Sequence, residues 1–234
     1  MIVLGRDADG IRSPADLKGK RIGWLGAFGG KVPYEPEVLA ICRQALTRFE
    51  TIGCVVEEAT PDYDVERAWQ AFTRIRAWQQ SVPFLGFAQD AAKRSLLNSQ
   101  AIFEAELAMS LKATDITAAS IIRTEWSRAI DQLLQRFDYL VSPTAQLFPF
   151  EIEKPWPTEV AGVSMRTYHE WMEGVCLITF AGTPSLAVPA GFSAAGLPIG
   201  LQIIAPAQQE MACLQLGAAF EAVEPLWRLR PPPV

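Results

Sequence analysis

A strand, a helix and a second strand follow one another between residues 21 and 61, and this order limits the possible folds. "RIGWLG" (21–26) and "CVVEEATP" (54–61) are both short apolar strand patterns. Between them, "EVLAICRQALTRFETIG" (37–53) repeats apolar residues at helical spacing, with Pro36 near its start and Gly53 placed to end it. Two strands joined by such a helix are expected to be parallel, because the crossover packs back onto the sheet. The segment predicts the α/β class.

The remaining patterns give about five strands and six helices in all. Residues 62–136 are mostly helical, and Asp115 is expected to be the N-cap of the last helix there. A short buried strand begins "DYLVSPTAQLFPF" (138–150), and a loop is expected from there to about residue 164. "MRTYHEWMEGVCLITF" (165–180) predicts a helix, the segments around 185–192 and 198–206 predict two strands of a hairpin, and residues 209–223 predict a final helix. Near the start, Ser13 and Pro14 predict a short capped turn.

Composition excludes several classes of partner. Half of the 234 residues are hydrophobic, and the net charge of −5 comes from interspersed acidic and basic side chains. This pattern offers no basic stripe for nucleic acid and no polybasic membrane anchor. The four cysteines are far apart, which disfavours a metal site or a disulfide framework, and the start lacks a signal-peptide pattern. We expect a soluble, cytoplasmic protein that binds a small molecule.

The residues alone show no hydrolytic site. A serine or cysteine nucleophile of the common type needs an imidazole base, and His169 is the one histidine of the chain. Its position between Tyr168 and Glu170 on a predicted helix indicates a surface or boundary residue. Neither a G-x-S-x-G elbow nor an S-x-x-K spacing is present.

Other candidate motifs have simpler structural explanations. The glycines of "GWLGAFGG" fall at positions 23, 26, 29 and 30, which is not the G-x-G-x-x-G order of a dinucleotide site. The carboxylate pairs Glu57 with Glu58 and Glu104 with Glu106 do not converge at those spacings and are expected to be solvated. A stripe at helical spacing predicts packing rather than a ligand cage, and its members are Trp69, Phe72, Ile75 and Trp78.

Three segments resemble the C-terminal half of the amidase signature family. They are "FDYLVSPTA" (137–145), "FAGTPSLAVPAGF" (180–192) and "GLPIGLQIIAPAQQEMACLQLGAAFE" (196–221). The resemblance implies an α/β fold in which a mixed sheet carries helices on both faces. It implies that residues 1–234 are the C-terminal portion of an amidase, a hydrolase of carboxylic acid amides, and that the N-terminal catalytic half is absent.

The family mechanism uses a Ser-cisSer-Lys triad and no cofactor or metal, and the triad lies in the N-terminal half. This sequence has no Ser-Ser dipeptide, so no catalytic residue is assigned in it. The isolated chain is therefore expected to be inactive. Its expected partners are a small-molecule amide and the missing N-terminal half, and its exposed sheet edges predict self-association into a homo-oligomer.

In the family, the helix before the "AGTPS" turn lines the substrate channel. Met172, Val175 and Thr179 share one face of that helix here and are the candidate substrate-binding residues. An ordinary core role is the alternative. In the A subunit of glutamyl-tRNA amidotransferases, an aspartate that recognises the glutamine amino group aligns with Met172, which argues for an amidase with a more apolar substrate. The remaining alternatives are a noncatalytic ligand- or partner-binding module and the A subunit of a tRNA-dependent amidotransferase.

Overall fold

The computed structural model describes residues 14–229, so the interpretation of Ser13 lies outside it. The strands are β1 (Arg21–Trp24), β2 (Val55–Glu58), β3 (Tyr139–Pro143), β4 (Glu159–Val160), β5 (Val163–Ser164), β6 (Ser185–Phe192) and β7 (Pro198–Ile204). The helices are α1 (Pro36–Ala45), α2 (Thr47–Ile52), α3 (Val65–Gln80), α4 (Leu85–Gln89), α5 (Ser99–Ser110), α6 (Ala113–Leu134), α7 (Glu173–Ala181), α8 (Glu210–Val223) and α9 (Leu226–Leu229).

The central sheet is mixed and has the strand order β2-β1-β3-β7-β6. β1 pairs in parallel with β2 and with β3, so the strand-helix-strand prediction for residues 21–61 is confirmed. β7 is antiparallel to both β3 and β6, and β6 and β7 form the predicted hairpin. The α/β class with a mixed sheet is thus the observed architecture.

Helices cover both faces of the sheet. On one face α8 packs so closely on β6 that a Cβ added to Gly217 would lie 2.4 Å from Leu186 Cδ2. α1 and α2 lie on this same side and contact β6 and α8. α3, α6 and α7 form the other layer, where the indole N–H of Trp126 donates to the Leu177 carbonyl oxygen at 2.8 Å.

Two helices differ from the sequence prediction. The helix over 37–53 is divided at Leu46, whose N–H bonds to the Arg43 carbonyl three residues back and tightens the turn. Gly53 does end this segment, with a φ of 100° that favours glycine. Asp115 is not the N-cap, because α6 starts earlier: Lys112 holds that position, and the Asp115 carboxylate accepts its backbone N–H at 2.8 Å.

Two other segments were also assigned incorrectly. The predicted loop before residue 164 contains the small hairpin of β4 and β5. The helix expected over 165–180 begins only at Glu173, after a 3-10 turn over Glu170–Met172. The hairpin strands have two residues each and the 3-10 turn has three, which is too short for a periodic pattern to reveal them.

The predicted aromatic stripe of α3 is only partly internal. Trp69 is buried and stacks on Phe72 with ring centroids 5.3 Å apart, and Ile75 is buried as well. Trp78 is 50% exposed, so its place in a packing stripe was wrong. Within residues 14–229, no helix combines the length and the apolar character needed to cross a membrane.

Candidate functional site

Two of the proposed substrate-binding residues, Val175 and Thr179, lie on the least buried face of α7, and Met172 lies just before the helix. Met172 ends the 3-10 turn before the helix and is half-buried, as is Val175, whereas Thr179 is exposed. The Thr179 hydroxyl donates to the Val175 carbonyl oxygen at 3.2 Å, which fixes its side chain along the helix. The opposite face is buried through Leu177 and Ile178. The geometry therefore leaves one face of α7 available for contacts with another molecule or segment.

The N-terminus of α7 is held by a buried amide. Gln146 Nε2 donates to the Glu170 carbonyl oxygen, and Gln146 Oε1 accepts the N–H of Gly174, each at 3.1 Å. Tyr34 packs directly against the same turn, because a Cβ at Gly174 would lie 1.9 Å from its hydroxyl oxygen. Burial is the main cause that raises the Tyr34 pKa, with smaller contributions from Cys42 and Glu173. This turn is therefore rigidly placed.

Glu173, the first residue of α7, is a buried carboxyl next to that turn. Burial is the largest cause that raises its pKa to about 8, and the nearby carboxylates of Glu66 and Glu170 raise it further, while Arg166 lowers it. Glu173 is consequently a neutral acid near pH 7.

His169 is buried, so its expected surface position was wrong. Its Nε2 accepts a hydrogen bond from Arg76 Nε at 2.7 Å and lies 3.2 Å from a Glu104 oxygen. Glu104 is also buried and bonds to Arg76 at 3.0 Å, which corrects the expectation that it is solvated. Glu106 is exposed and pairs with Arg94, and Glu57 and Glu58 are exposed as expected. Burial and then Arg76 lower the His169 pKa to about 4, so the ring is neutral and serves as a hydrogen-bond acceptor.

A cavity of about 530 Å³ lies beside the β6–β7 hairpin. Its lining is almost entirely apolar and comes from the segment after β3, from Trp171 and from both hairpin strands. Met172, Val175 and Thr179 are not part of that lining. The cavity and the exposed face of α7 are therefore two separate surfaces, although both border residues 171–172.

The serines of the described segment lack the partners of an acyl-transfer site. Ser142 accepts a hydrogen bond from Gln202 Nε2 at 2.8 Å inside the sheet, and Ser185 is exposed at the start of β6. Within residues 14–229, no serine hydroxyl is hydrogen-bonded to a lysine or histidine side chain. Burial raises the pKa values of the thiols of Cys42 and Cys176 to about 12, which keeps both unreactive at neutral pH.

A sequence profile described as Amidase matches residues 8–214. The chain belongs to the amidase family. Its matched region is the C-terminal portion of related amidases. An acylamidase of Rhodococcus erythropolis is 31% identical over 221 residues, which cover 91% of this chain and 44% of the relative. The A subunit of the glutamyl-tRNA(Gln) amidotransferase of Moorella thermoacetica is 28% identical, with 92% of this chain and 47% of that polypeptide covered.

A solved amidase has the same fold. The crystal structure of a bacterial aryl acylamidase of the amidase signature family superposes with a TM-score of 0.81 at 24% identity. The superposition covers 91% of this chain and 45% of that enzyme. The chain thus spans less than half the length of these amidase relatives.

Sequence reasoning missed the buried polar residues around α7. A glutamate directly before the apolar run "GVCLITFA" was a usable signal, because that run predicts a buried helix whose first residue is Glu173. No comparable local signal marked Tyr34 or Arg76, because their contacts are with residues far along the chain.

Proposed function

We propose that this chain is the C-terminal portion of an amidase whose catalytic serines and lysine lie in the part of the family chain that it does not contain. The observation that supports this is the match of residues 8–214 to the family, while less than half of the Rhodococcus acylamidase and of the Moorella A subunit is covered. The absence of a Ser-Ser dipeptide from the sequence agrees with it. The full-length enzyme would hydrolyse a carboxylic acid amide, and a cytoplasmic location is part of the proposal.

The reaction is proposed to follow the Ser-cisSer-Lys route. One serine attacks the amide carbonyl, the carbon–nitrogen bond breaks, and the lysine, relayed by the second serine, moves the proton to the leaving amine. Water then hydrolyses the acyl-enzyme to the carboxylic acid. This chain would contribute the exposed face of α7 to the substrate channel.

An amidase assay tests the proposal with the chain alone and with a complement. The complement is the amino-terminal polypeptide of the Rhodococcus erythropolis acylamidase that precedes the matched region. The substrate is an acyl anilide, and the aniline released is followed by absorbance. We expect no turnover above the blank for the chain alone and measurable turnover for the mixture. Turnover by the chain alone, or none by the mixture, would contradict the proposal.

The α7 face is tested by Met172→Asp in a single polypeptide that joins the same amino-terminal segment to this chain. If Met172 contacts the substrate, the carboxylate should lower kcat/KM for an apolar acyl anilide about tenfold relative to a substrate with an ammonium group. Met211→Asp is the matched control, because Met211 is exposed on α8. An unchanged preference in Met172→Asp would refute the assignment.

The A subunit of a tRNA-dependent amidotransferase is the second candidate, favoured by the 28% identity to the Moorella polypeptide. That function requires partner proteins and transfer of ammonia from glutamine. Glutamine-dependent transfer only in the presence of such partners would support it over a free-standing amidase. Ligand binding without hydrolysis under every condition would instead favour a noncatalytic module.

A further inference from the structure

Helix α7 begins at a residue whose side chain does not cap it. Met172 is the N-cap, with a φ of −126° and a ψ of 24°, and methionine has no side-chain oxygen to accept an amide N–H. The first N–H groups of a helix have no partner inside the helix and need an acceptor from elsewhere. At the start of α7, Gln146 Oε1 accepts the N–H of Gly174 at 3.1 Å. Gln146 therefore does for α7 what the side chain of the N-cap residue does in other helices.

The same amide holds the backbone on the other side of Met172. Gln146 Nε2 donates to the Glu170 carbonyl oxygen at 3.1 Å, so both polar ends of one side chain are used. The two bonds reach the residues two positions before and two positions after Met172. The Met172 N–H itself donates to the His169 carbonyl oxygen at 3.0 Å. The backbone that carries the Met172 side chain is thus fixed relative to Gln146.

Gln146 is itself anchored. It is 1% exposed, and its carbonyl oxygen accepts the N–H of Glu35 at 2.8 Å. The Glu35 carboxylate in turn accepts the N–H of Phe148 at 3.1 Å. These bonds connect the segment after β3 to the start of α1. A buried amide with both ends paired favours a single arrangement of the turn, because a shifted turn would leave buried polar groups without partners.

We propose that Gln146 is a positioning residue for the amide substrate. Because it caps α7 from a distant segment, residue 172 is free to carry an apolar side chain, and Gln146 fixes where that side chain meets the acyl group. Serine, threonine, aspartate or asparagine at position 172 could cap the helix directly but would place a polar group there. The inference rests on the proposed function, in which Met172 contacts the substrate. Gln146 acts only through Met172.

Amide exchange tests the capping in the chain as it exists. Gln146→Met approximately keeps the length of the side chain and removes both of its polar ends. We expect the Gly174 amide to exchange at least about tenfold faster in this variant. The Val55 amide, which bonds to the Lys20 carbonyl oxygen at 2.8 Å in another part of the fold, is the internal reference and should be unchanged.

Substrate preference tests the positioning in the single polypeptide that joins the amino-terminal acylamidase segment to this chain. The measured quantity is the kcat/KM for hexanoyl anilide divided by that for acetanilide. Gln146→Met should lower this ratio about fivefold, through a higher KM for the hexanoyl substrate, because an apolar contact with the acyl chain is made in the ground state and the transition state alike. Met172→Ala should lower the ratio by a similar factor.

The double variant separates positioning from general damage. If Gln146 acts through Met172, Gln146→Met should cause no further loss of preference once Met172 is alanine. Gln215→Met is the matched control, because Gln215 is also a buried glutamine and lies on α8 at the opposite face of the sheet. It should leave the ratio unchanged even where it lowers stability. Gln146→Glu keeps an acceptor for Gly174 but removes the amide donor to Glu170, and it replaces Gln146→Met in both experiments if that variant fails to fold.

Three results would overturn the positioning role: an unchanged Gly174 amide, an unchanged ratio in the Gln146 variant, or losses that multiply in the double variant. The two proposals fail in different ways. Turnover with a ratio that is insensitive to Gln146 would contradict only the positioning role. No turnover by the joined wild-type polypeptide would contradict the proposed function and the substrate role of Gln146 with it, whereas faster exchange of the Gly174 amide would still support the capping of α7.

Discussion

At the residue scale, Tyr34 leaves no room for a side chain at Gly174. A Cβ there would lie 1.9 Å from the tyrosine hydroxyl oxygen, far inside van der Waals contact, and Tyr34 is buried. Gly174→Ala should lower the free energy of unfolding by about 1–3 kcal/mol through overpacking, despite the higher helix propensity of alanine. Urea denaturation measures the change.

Gly86→Ala is the control for Gly174→Ala. Gly86 also lies in a helix, is exposed, and has no heavy atom within 4 Å of an added Cβ. It should stabilise the protein by up to about 1 kcal/mol. Tyr34→Phe in the Gly174→Ala background should recover part of the loss, because it removes the clashing oxygen. Equal effects of the two alanine substitutions would refute the packing argument.

Arg48 is a second residue whose role is set by its contacts. It bonds to two β6 carbonyls, forms an ion pair with Glu224 at 2.6 Å, and lies over the Phe220 ring. Arg48→Ala leaves those carbonyls without their donor and should cost about 2–4 kcal/mol. Arg43→Ala, which breaks the exposed pair with Glu58, should cost about 1 kcal/mol or less. Equal losses in thermal or urea unfolding would contradict this role for Arg48.

At the scale of elements, His169 links α3 and α5 to the turn that precedes α7. The groups that face it are Arg76 from α3, Glu104 and Gln100 from α5, and the neighbouring Tyr168 ring. Its pKa is lowered from 6.5 to about 4, so the unfolded chain binds the proton more tightly. Stability should therefore fall as pH is lowered through this interval, by about 1–3 kcal/mol in total.

The His169 effect is isolated by comparing wild type with His169→Gln, since glutamine can still accept the Arg76 hydrogen bond. Urea unfolding at about pH 7 and about pH 5 should show a larger loss for wild type, by about 1–2 kcal/mol. Parallel losses in the two proteins would show that His169 does not titrate as described.

Glu173, at the start of α7, should give stability the opposite dependence on pH from that caused by His169. Its pKa is raised from 4.5 to about 8 by burial and by Glu66 and Glu170, against the lowering effect of Arg166. The folded state holds the proton more tightly, so its stabilising effect is fully present below pH 4.5 and is lost as pH rises to 8. Between about pH 6 and pH 8, wild type should lose about 1–3 kcal/mol relative to Glu173→Gln. A constant difference between the two across this interval would contradict the raised pKa.

Elements that are defined by a local sequence pattern could be predicted from the sequence alone. The β1-helix-β2 unit and the β6–β7 hairpin follow from apolar spacing and from turn residues such as Gly53. The His169 cluster was not predictable in this way, because Arg76 and His169 are 93 residues apart and their burial arises only when three elements pack together. The candidate residues on α7 came from the family resemblance, since no local pattern marked them.

At the scale of the whole molecule, the two edges of the central sheet differ in charge. The charged residues on β2 protect its edge through ion pairs such as Arg21 with Glu57. At the opposite edge of the described sheet, residues 185–188 at the start of β6 carry no charged side chain. The uncharged edge at the start of β6 is therefore the more open of the two to pairing with another chain.

This asymmetry predicts weak self-association of the isolated chain. The uncharged segment 185–188 of β6 and the apolar cavity that it lines favour contact with other copies, so the weight-average mass should rise with concentration in light scattering. Ala187→Lys should shift the rise to higher concentration, because like charges then meet at the edge. Glu58→Lys, at the opposite edge, should leave the curve unchanged. A monomer at every concentration would refute this prediction.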